Sequence, residues 1–485
     1  MPLHRQLTKE LKNLILCGQL ASGRRLPSTR ALANTLRISR ATASLAYEQL
    51  LREGFVEAYS GSGTFVAREI PGRAPHEQSM QHYTLSESRT DRQLEMLESF
   101  SPGAQNEVVD FRPSAGSNDR IPLQQWRKLL AQRMNQLTIP DYCHDVRGYV
   151  QLRETLARHL QRTRGVKCSP DQIFVLGSTQ QALTLVARVH VQRDTVVAVE
   201  NPGFVTARRI FEGRGATLLP IPVDEHGLVT ERLADAARAG AKLVYVTPSH
   251  QVPSGSSMAL LRRLELVKWA QKESAVIIED DYGSEYKYSG NAVPAMQSYN
   301  STDSLVYMGT FAKLMFPSLR ITYLVVPRSF IRAYCAAKRL LDDRSPMVEQ
   351  CALADFIADG CYDRLLRRNK AIYAARRQTL VQAIEERLGS VVSIFGGDTG
   401  THMMVRFKTH LSDNEIIQQA AQAGVLLAST KEHYMDDSHP QREFLLSFAH
   451  VSEEQIVKGV ACLAQVLHGT VFSGTSAFTP NQMAV

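Results

Sequence analysis

Paired cysteine is what this sequence most plainly lacks. Its seven cysteines, Cys17, Cys143, Cys168, Cys335, Cys351, Cys361 and Cys462, are odd in number and scattered, without a CxxC pair or a companion histidine cluster. That spacing excludes a disulfide framework and a zinc site, so no metal is expected and the thiols are read as reduced. Long hydrophobic runs are missing too: none reaches the roughly 18 residues that a helical membrane span requires. The opening residues Met1-Pro2-Leu3-His4-Arg5 lack the basic stretch and continuous apolar core of a secretory signal. A cytoplasmic protein with no membrane partner is expected.

What is there is chain enough for more than one core. At 485 residues, with 44% hydrophobic and 21% charged, the composition is that of a globular protein of several compact units. The net charge of +8 is unevenly placed. Residues 1–68 carry ten Lys/Arg against four Glu and no Asp, an excess of six that leaves two for the remaining chain. A basic excess confined to one end favours a polyanion partner for that end.

The pattern divides the chain into residues 1–67, a polar linker over 68–108, a large domain over 109–468 and a disordered tail over 469–485. Within the linker, residues 91–100 read as a short helix. A stretch of that length is unusual inside one compact domain, which favours two domains on a tether. In the large domain, apolar runs at 173–176, 195–199, 243–246, 275–278 and 304–307 alternate with helical stretches such as 258–274. This predicts an α/β fold whose mostly parallel sheet is covered on both faces. From about 367 to 468, a long helix with shorter strands predicts a smaller α+β subdomain.

Helical patterning in the first domain covers 6–16, then 29–36 after Pro27-Ser28, then 41–53 after Ser39, a residue type that caps helices. Ala43, Ala46, Tyr47 and Leu50 fall at i, i+3, i+4 and i+7 and form a buried stripe, leaving Arg40, Thr42, Ser44 and Glu48 outward or lateral. The short turn Arg37-Ile38 joins the second and third helices as a helix-turn-helix requires. Residues 55–66 read as two short strands about a glycine-bearing turn, a wing.

Over residues 3–67 this arrangement resembles the winged helix of the GntR regulators. The matching stretches are 23–33, Ser39-Arg40-Ala41-Thr42, Ala46-Tyr47-Glu48-Gln49-Leu50 and Gly61-Ser62-Gly63-Thr64-Phe65. The resemblance implies binding to operator half-sites in double-stranded DNA. Arg30 and Arg40 would lie at or near the major groove, Thr42 and Ser44 on the recognition surface, and Gly61 and Gly63 at the wing tip against the minor groove or backbone. A small helical dimerisation module is the plainer alternative, and it leaves the wing without a role.

The chemical residues of the large domain follow its apolar runs. Lys313, in Gly309-Thr310-Phe311-Ala312-Lys313, stands seven residues before Arg320. A lysine amine condenses with an aldehyde and an arginine holds a phosphate, although such a pair in isolation is usually surface. Upstream, Ile277-Ile278-Glu279-Asp280-Asp281-Tyr282 ends a buried run in carboxylates and a phenol, and a carboxylate beneath a pyridine nitrogen keeps it protonated. Gly177-Ser178-Thr179 opens a helix where hydroxyls and backbone amides can cradle a phosphate or simply cap the helix. Phe204 follows another run and either stacks on a ligand or packs in the core.

From about 111 to 463 the sequence resembles the fold type I pyridoxal-phosphate enzymes of the aspartate aminotransferase superfamily. The order of winged helix, linker and this domain is that of the MocR subfamily of GntR regulators. The resemblance implies pyridoxal 5′-phosphate as cofactor, Lys313 as its Schiff-base lysine, Asp280 as partner of the ring nitrogen and Tyr282 as donor to the ring oxygen. It also implies Ser178, Thr179 and Arg320 at the phosphate, Phe204 stacked on the ring and Gln251, in Ser249-His250-Gln251-Val252-Pro253, near the ring oxygen. The sequence departs from the usual pattern at several places. Phe204 stands where tyrosine is common, Ala312 replaces a serine, Thr322 a glycine, and Gly283 an acidic residue. Cys143 falls where a tyrosine reaching the partner subunit is expected, with Tyr142 one place off.

Transamination needs a fixed cation for the substrate carboxylate, and in the similar enzymes an arginine sits where this sequence has Leu445. Arg442, Arg208 and Arg209 remain candidate contacts for a small amine or amino acid effector. The expectation is therefore a homodimeric, cofactor-dependent transcriptional regulator and not an enzyme. A working aminotransferase with a DNA-binding appendage is the alternative, and a DNA-binding protein with a mere dimerisation scaffold is the third reading.

Overall fold

A computed structural model describes residues 2–59, 62–68, 108–113, 122–136, 145–290, 293–299, 303–312, 314–316, 318–343, 345–436 and 438–469. The helix expected over 91–100, almost all of the linker and the tail beyond 469 lie outside these residues. The chain forms two compact units, residues 1–104 and 105–485.

In the first unit α1 (Leu3–Leu16), α2 (Thr29–Leu36) and α3 (Arg40–Arg52) precede a hairpin of β1 (Val56–Tyr59) and β2 (Gly63–Val66). Ser28 and Ser39 each begin a helix by accepting a backbone N–H with the side-chain oxygen, from Ala31 and Thr42 respectively. Arg37 ends α2 in the left-handed conformation at φ 53°, which makes the tight turn into α3. Ala43, Tyr47 and Leu50 of α3 meet Leu11 and Ile15 of α1 and Val56 and Val66 of the hairpin in one core. The stripe at i, i+3, i+4 and i+7 is therefore the buried face. The Tyr47 hydroxyl, carried into that core, donates to the Pro27 carbonyl at 2.9 Å.

The second unit is built on eight strands: β4 (Ile173–Leu176), β5 (Val196–Asn201), β6 (Thr217–Asp224), β7 (Gly227–Leu228), β8 (Leu243–Val246), β9 (Val276–Asp280), β10 (Leu305–Thr310) and β11 (Thr322–Val325), after a short β3 (Val109–Asp110). Their order is β4-β11-β10-β9-β8-β5-β6-β7. From β10 to β6 every pairing is parallel, and β11 lies antiparallel to both β10 and β4. All residues of β4, β8 and β11 are buried, as expected for strands covered on both faces. The expected runs are all strands; β6, β7 and β11 are additions, and β11 is short and antiparallel between two neighbours that run alike.

A second sheet, β12 (Val392–Phe395), β13 (His402–Phe407), β15 (Ala428–Ser429) and β16 (Glu443–Ser447) in the order β12-β13-β16-β15, belongs to the smaller subdomain. The helix Cys361–Arg387 packs there against the last helix, Glu453–Gly469. β14 (Val425–Leu426) pairs in parallel with β3, so the first strand of this unit is tied to its last hundred residues. That long-range pairing has no local signature in the chain.

Candidate functional site

Because β5, β8, β9 and β10 are parallel and β4 runs with them, their carboxyl ends lie along one edge of the sheet. Phe204 follows β5, Gln251 follows β8, Asp280 ends β9, Tyr282 lies just beyond it, and Ser178 and Thr179 follow β4. Arg320 precedes the antiparallel β11 and so reaches the same edge from the other direction. The register pairs Thr322 with Leu176, which sets Arg320 beside the Gly177 turn, and a Cβ on Gly177 would stand 3.9 Å from the Arg320 carbonyl oxygen. Open α/β sheets collect ligands at this edge. Lys313, which follows β10, lies outside the described residues, as do Gly61, Tyr142 and Cys143.

The three successive acids separate by strand alternation. Glu279 turns to one face, where its carboxyl accepts the backbone N–H groups of Met296 and Gln297; burial and nearby Asp281 push it up to about 7. Asp281 shares that face. Burial opposes its ionisation, but the charge and hydrogen bonds of Arg164, with Ser249 and Tyr307, outweigh this and hold it below the usual carboxylate range. Asp280 alone turns to the opposite face, where it is buried and accepts a hydrogen bond from the Tyr245 hydroxyl at 2.7 Å. The periodicity of a strand thus sets one acid on one face of the sheet and two on the other.

At the Gly177 turn, Ser178 caps the helix Thr179–His190 by accepting the Gln181 N–H at 3.1 Å. Gln181 in turn accepts the Gly177 N–H and donates to Asp342 at 2.8 Å. Arg320 is exposed, and no hydrogen bond or ion pair engages its side chain among the described residues. A helix N-terminus, two hydroxyls and an uncommitted cation make a donor set suited to a phosphate dianion.

Gln251 is fully buried and used internally. Its amide nitrogen donates to the Pro202 and Val252 carbonyls, and its oxygen accepts from the Ser254 N–H and hydroxyl. Glu200 completes this tie between β5 and β8 by accepting from Thr247, with its carboxyl pushed up to about 7 by burial. The Tyr282 hydroxyl lies 3.3 Å from that of Thr401, and its ring packs on His250. Gly283, at φ +75°, brings the backbone so close to Gly400 that a Cβ would meet its Cα at 3.2 Å, which accounts for glycine where an acid is usual. Thr322 donates to Thr310, the last residue of β10, at 3.1 Å. Phe204 is half-buried at the start of the helix Val205–Gly213.

The three candidate effector arginines are placed apart from one another in role. Arg442 donates to the Leu411 carbonyl at 2.8 Å, and Arg209 sits in a loose surface pair with Glu432 at 3.7 Å. Arg208 is buried, donates to the Glu432 carbonyl and retains a buried Nη1 without a partner among the described residues. Leu445 is buried between Met404 and Ala428 of the neighbouring strands. Tyr245, Glu200 and Asp342 went unassigned in the sequence; the one available signal for Tyr245 and Glu200 was a polar side chain within an apolar strand, whereas Asp342 ends the helix Ile331–Leu341.

In the first unit Arg30 and Arg40 are exposed, and Thr42 and Ser44 of α3 are half-buried. The Thr42 hydroxyl contacts that of the capping Ser39 at 2.8 Å. Gly63 opens β2 at φ +108° against Arg25, whose Nε would lie 3.1 Å from an added Cβ.

Fold and edge together define a winged helix attached to an aminotransferase-type α/β unit. Residues 3–66 match the family of bacterial regulatory proteins, gntR, and residues 113–463 match aminotransferase class I and II. The chain is 34% identical over 479 residues to the probable rhizopine catabolism regulatory protein MocR of Rhizobium meliloti, covering 98% of this chain and 95% of that protein. It is 31% identical over 387 residues to the pyridoxine biosynthesis transcriptional regulator PdxR of Corynebacterium glutamicum, covering 80% and 79%. Among solved structures, kynurenine aminotransferase of Pyrococcus horikoshii, in complex with PMP, superposes with a TM-score of 0.71 at 24% identity, covering 82% of this chain and 98% of that one. The chain belongs to the MocR-type transcriptional regulators of the GntR family, whose second domain has the aminotransferase fold. Among the described residues no helix is long and apolar enough to cross a membrane.

Proposed function

We propose that this chain is a cytoplasmic, homodimeric regulator that binds pyridoxal 5′-phosphate at the carboxyl edge of its large sheet and changes its affinity for operator DNA with the state of that site. The observation that carries the reading is the convergence of Ser178, Thr179, Arg320, Phe204, Asp280 and Tyr282 on one sheet edge, with Asp280 alone among three acids turned to the face it shares with Tyr245. Ser178, Thr179 and Arg320 would hold the phosphate, Asp280 the ring nitrogen, Tyr282 the ring oxygen, and Phe204 the ring face. Lys313 would supply the anchoring amine. Gln251, with both ends of its amide engaged, acts by holding the loop after β8. When bound, the cofactor supplies an aldehyde carbon open to amines and an electron-withdrawing ring.

Regulation then follows from linkage: an effector that favours one conformation of the large unit shifts DNA affinity by its difference in affinity for the two conformations. The relatives named for rhizopine catabolism and pyridoxine biosynthesis support both an amino compound and the cofactor itself as effector classes. Buried Leu445, in place of a substrate-binding arginine, favours regulation over turnover. Arg208, with its uncommitted Nη1, is the best placed of the three arginines to meet an effector carboxylate. Arg30, Arg40, Thr42, Ser44, Gly61 and Gly63 would form the DNA surface.

The test is the visible spectrum of the purified chain with added pyridoxal 5′-phosphate beside Lys313→Ala, followed by operator-region binding with and without cofactor. A lysine-dependent band accompanied by altered DNA binding is expected. No band in the wild type, with unchanged DNA binding, would overturn the assignment.

A further inference from the structure

Opposite the face to which Asp280 turns, a cavity of about 210 Å³ lies beneath the turn after β10, walled by Phe311, Leu314, Tyr307, Tyr323 and Tyr362. Glu285 lines it, and the Oε2 of that carboxyl is buried with no hydrogen-bond partner among the described residues. We propose that this cavity is a second small-molecule site, which takes a small organic amine with its ammonium on Glu285 and its apolar body against the aromatic wall.

Several other polar groups of the wall are already committed. Arg164 is spent on Asp281, Ser249 and the Val293 carbonyl. Tyr307 and Ser284 donate to Asp281, and Thr163 donates to the His159 carbonyl. Thr310 accepts from Thr322. Burial holds the His159 imidazole below its usual range, and therefore neutral. With Arg164 balanced by Asp281, the Glu285 carboxyl is the surplus charge, and its complement is a cation. Burial and nearby Asp281 push that carboxyl up to about 7; an incoming ammonium reverses the cost of ionising it. Aromatic faces add cation–π attraction in a desolvated setting. An apolar cavity of roughly 150 Å³ accepts benzene, so this one has room for a ring bearing an aminomethyl group. The inference stands apart from the cofactor reading, since the site lies on the other face of the sheet.

The experiment is calorimetric titration of the full chain with benzylamine and with its neutral isostere benzyl alcohol. Benzylamine is expected to bind one to one, about tenfold or more tighter than the alcohol, and Glu285→Gln is expected to remove that preference. Repeating the titration on Lys313→Ala separates the cavity from amine capture at the cofactor edge: the preference persists if the cavity is the site. If Glu285→Gln does not fold, Leu366→Phe, which fills the cavity from its half-buried rim, is expected to lower the affinity for both probes. No binding of benzylamine, equal affinity for the two probes in the wild type, or binding abolished by Lys313→Ala and untouched by Glu285→Gln would each overturn the proposal.

Discussion

Tyr245 and Asp280, on the neighbouring strands β8 and β9, are joined by a buried 2.7 Å hydrogen bond in which the phenol donates to the carboxylate. The bond selects Asp280 from three adjacent acids and fixes the direction in which its other lone pairs face. Tyr245→Phe keeps the ring packing and removes the donor. A hydrogen bond to a charged group contributes about 1.5–3 kcal/mol. The affinity for pyridoxal 5′-phosphate, read by absorbance titration, is expected to fall about tenfold with little change in operator affinity. Unchanged cofactor affinity would reduce Tyr245 to a packing residue.

Arg320 stands beside the Gly177 turn with its side chain uncommitted, so its effect should be specific to the phosphate. Arg320→Ala is expected to weaken pyridoxal 5′-phosphate by about tenfold or more. Unphosphorylated pyridoxal, titrated in parallel, should bind the variant and the wild type alike. Equal losses for both ligands would move Arg320 out of the phosphate site.

For the winged helix, Arg40 at the start of α3 is exposed and clear of the core. Arg40→Ala is expected to cost roughly 1–3 kcal/mol of operator binding if it reads a base, with relaxed sequence preference. If it meets phosphate, the loss should be uniform across sequences, with a shallower salt dependence. Fluorescence anisotropy at several salt concentrations distinguishes the two. The cofactor spectrum should not change.

Two buried histidines of the large unit lose their contribution to its stability in acid. Burial lowers both His190 and His433 from 6.5 to about 4. Each is neutral in the fold and takes up a proton on unfolding below 6.5. Their contribution is therefore fully present above pH 6.5 and is lost as pH falls from 6.5 towards 4, at up to about 3 kcal/mol each. Glu200, Glu279 and Glu285, pushed up to about 7, act in the opposite sense over much of this interval, so the histidine contribution is read as a difference. In thermal melts, the Tm of the wild type relative to His190→Phe should fall as pH drops from 6.5 towards 4. An identical slope in the variant would show that His190 does not titrate there.

Much of this protein was legible along the chain because its signals are local. The stripe of Ala43, Ala46, Tyr47 and Leu50, the serine caps and the glycine-bearing wing turn each lie within a few residues, and the winged helix follows from them. Buried parallel strands announce themselves as continuous apolar runs, so the α/β class and the carboxyl-end placement of Phe204, Gln251, Asp280 and Ser178 were readable as well. β11 was not, because a four-residue strand between parallel neighbours differs from them in direction and not in composition.

By itself the sequence determined the two domains, the class of each and the residue types that stand at the carboxyl ends of the strands. The resemblance singled out Asp280 in the sequence; only the tertiary structure showed that it turns to the face opposite Glu279 and Asp281, with Tyr245 on one side of the sheet and Arg164 on the other. It also decided that Gln251 serves its own loop, and that Arg320 meets a turn more than 140 residues before it through the antiparallel register of β4 and β11. Glu285 acquired its meaning in the same way: a carboxyl beside a charged motif reads as solvated in one dimension, and only packing left one of its oxygens buried and unpartnered over a cavity.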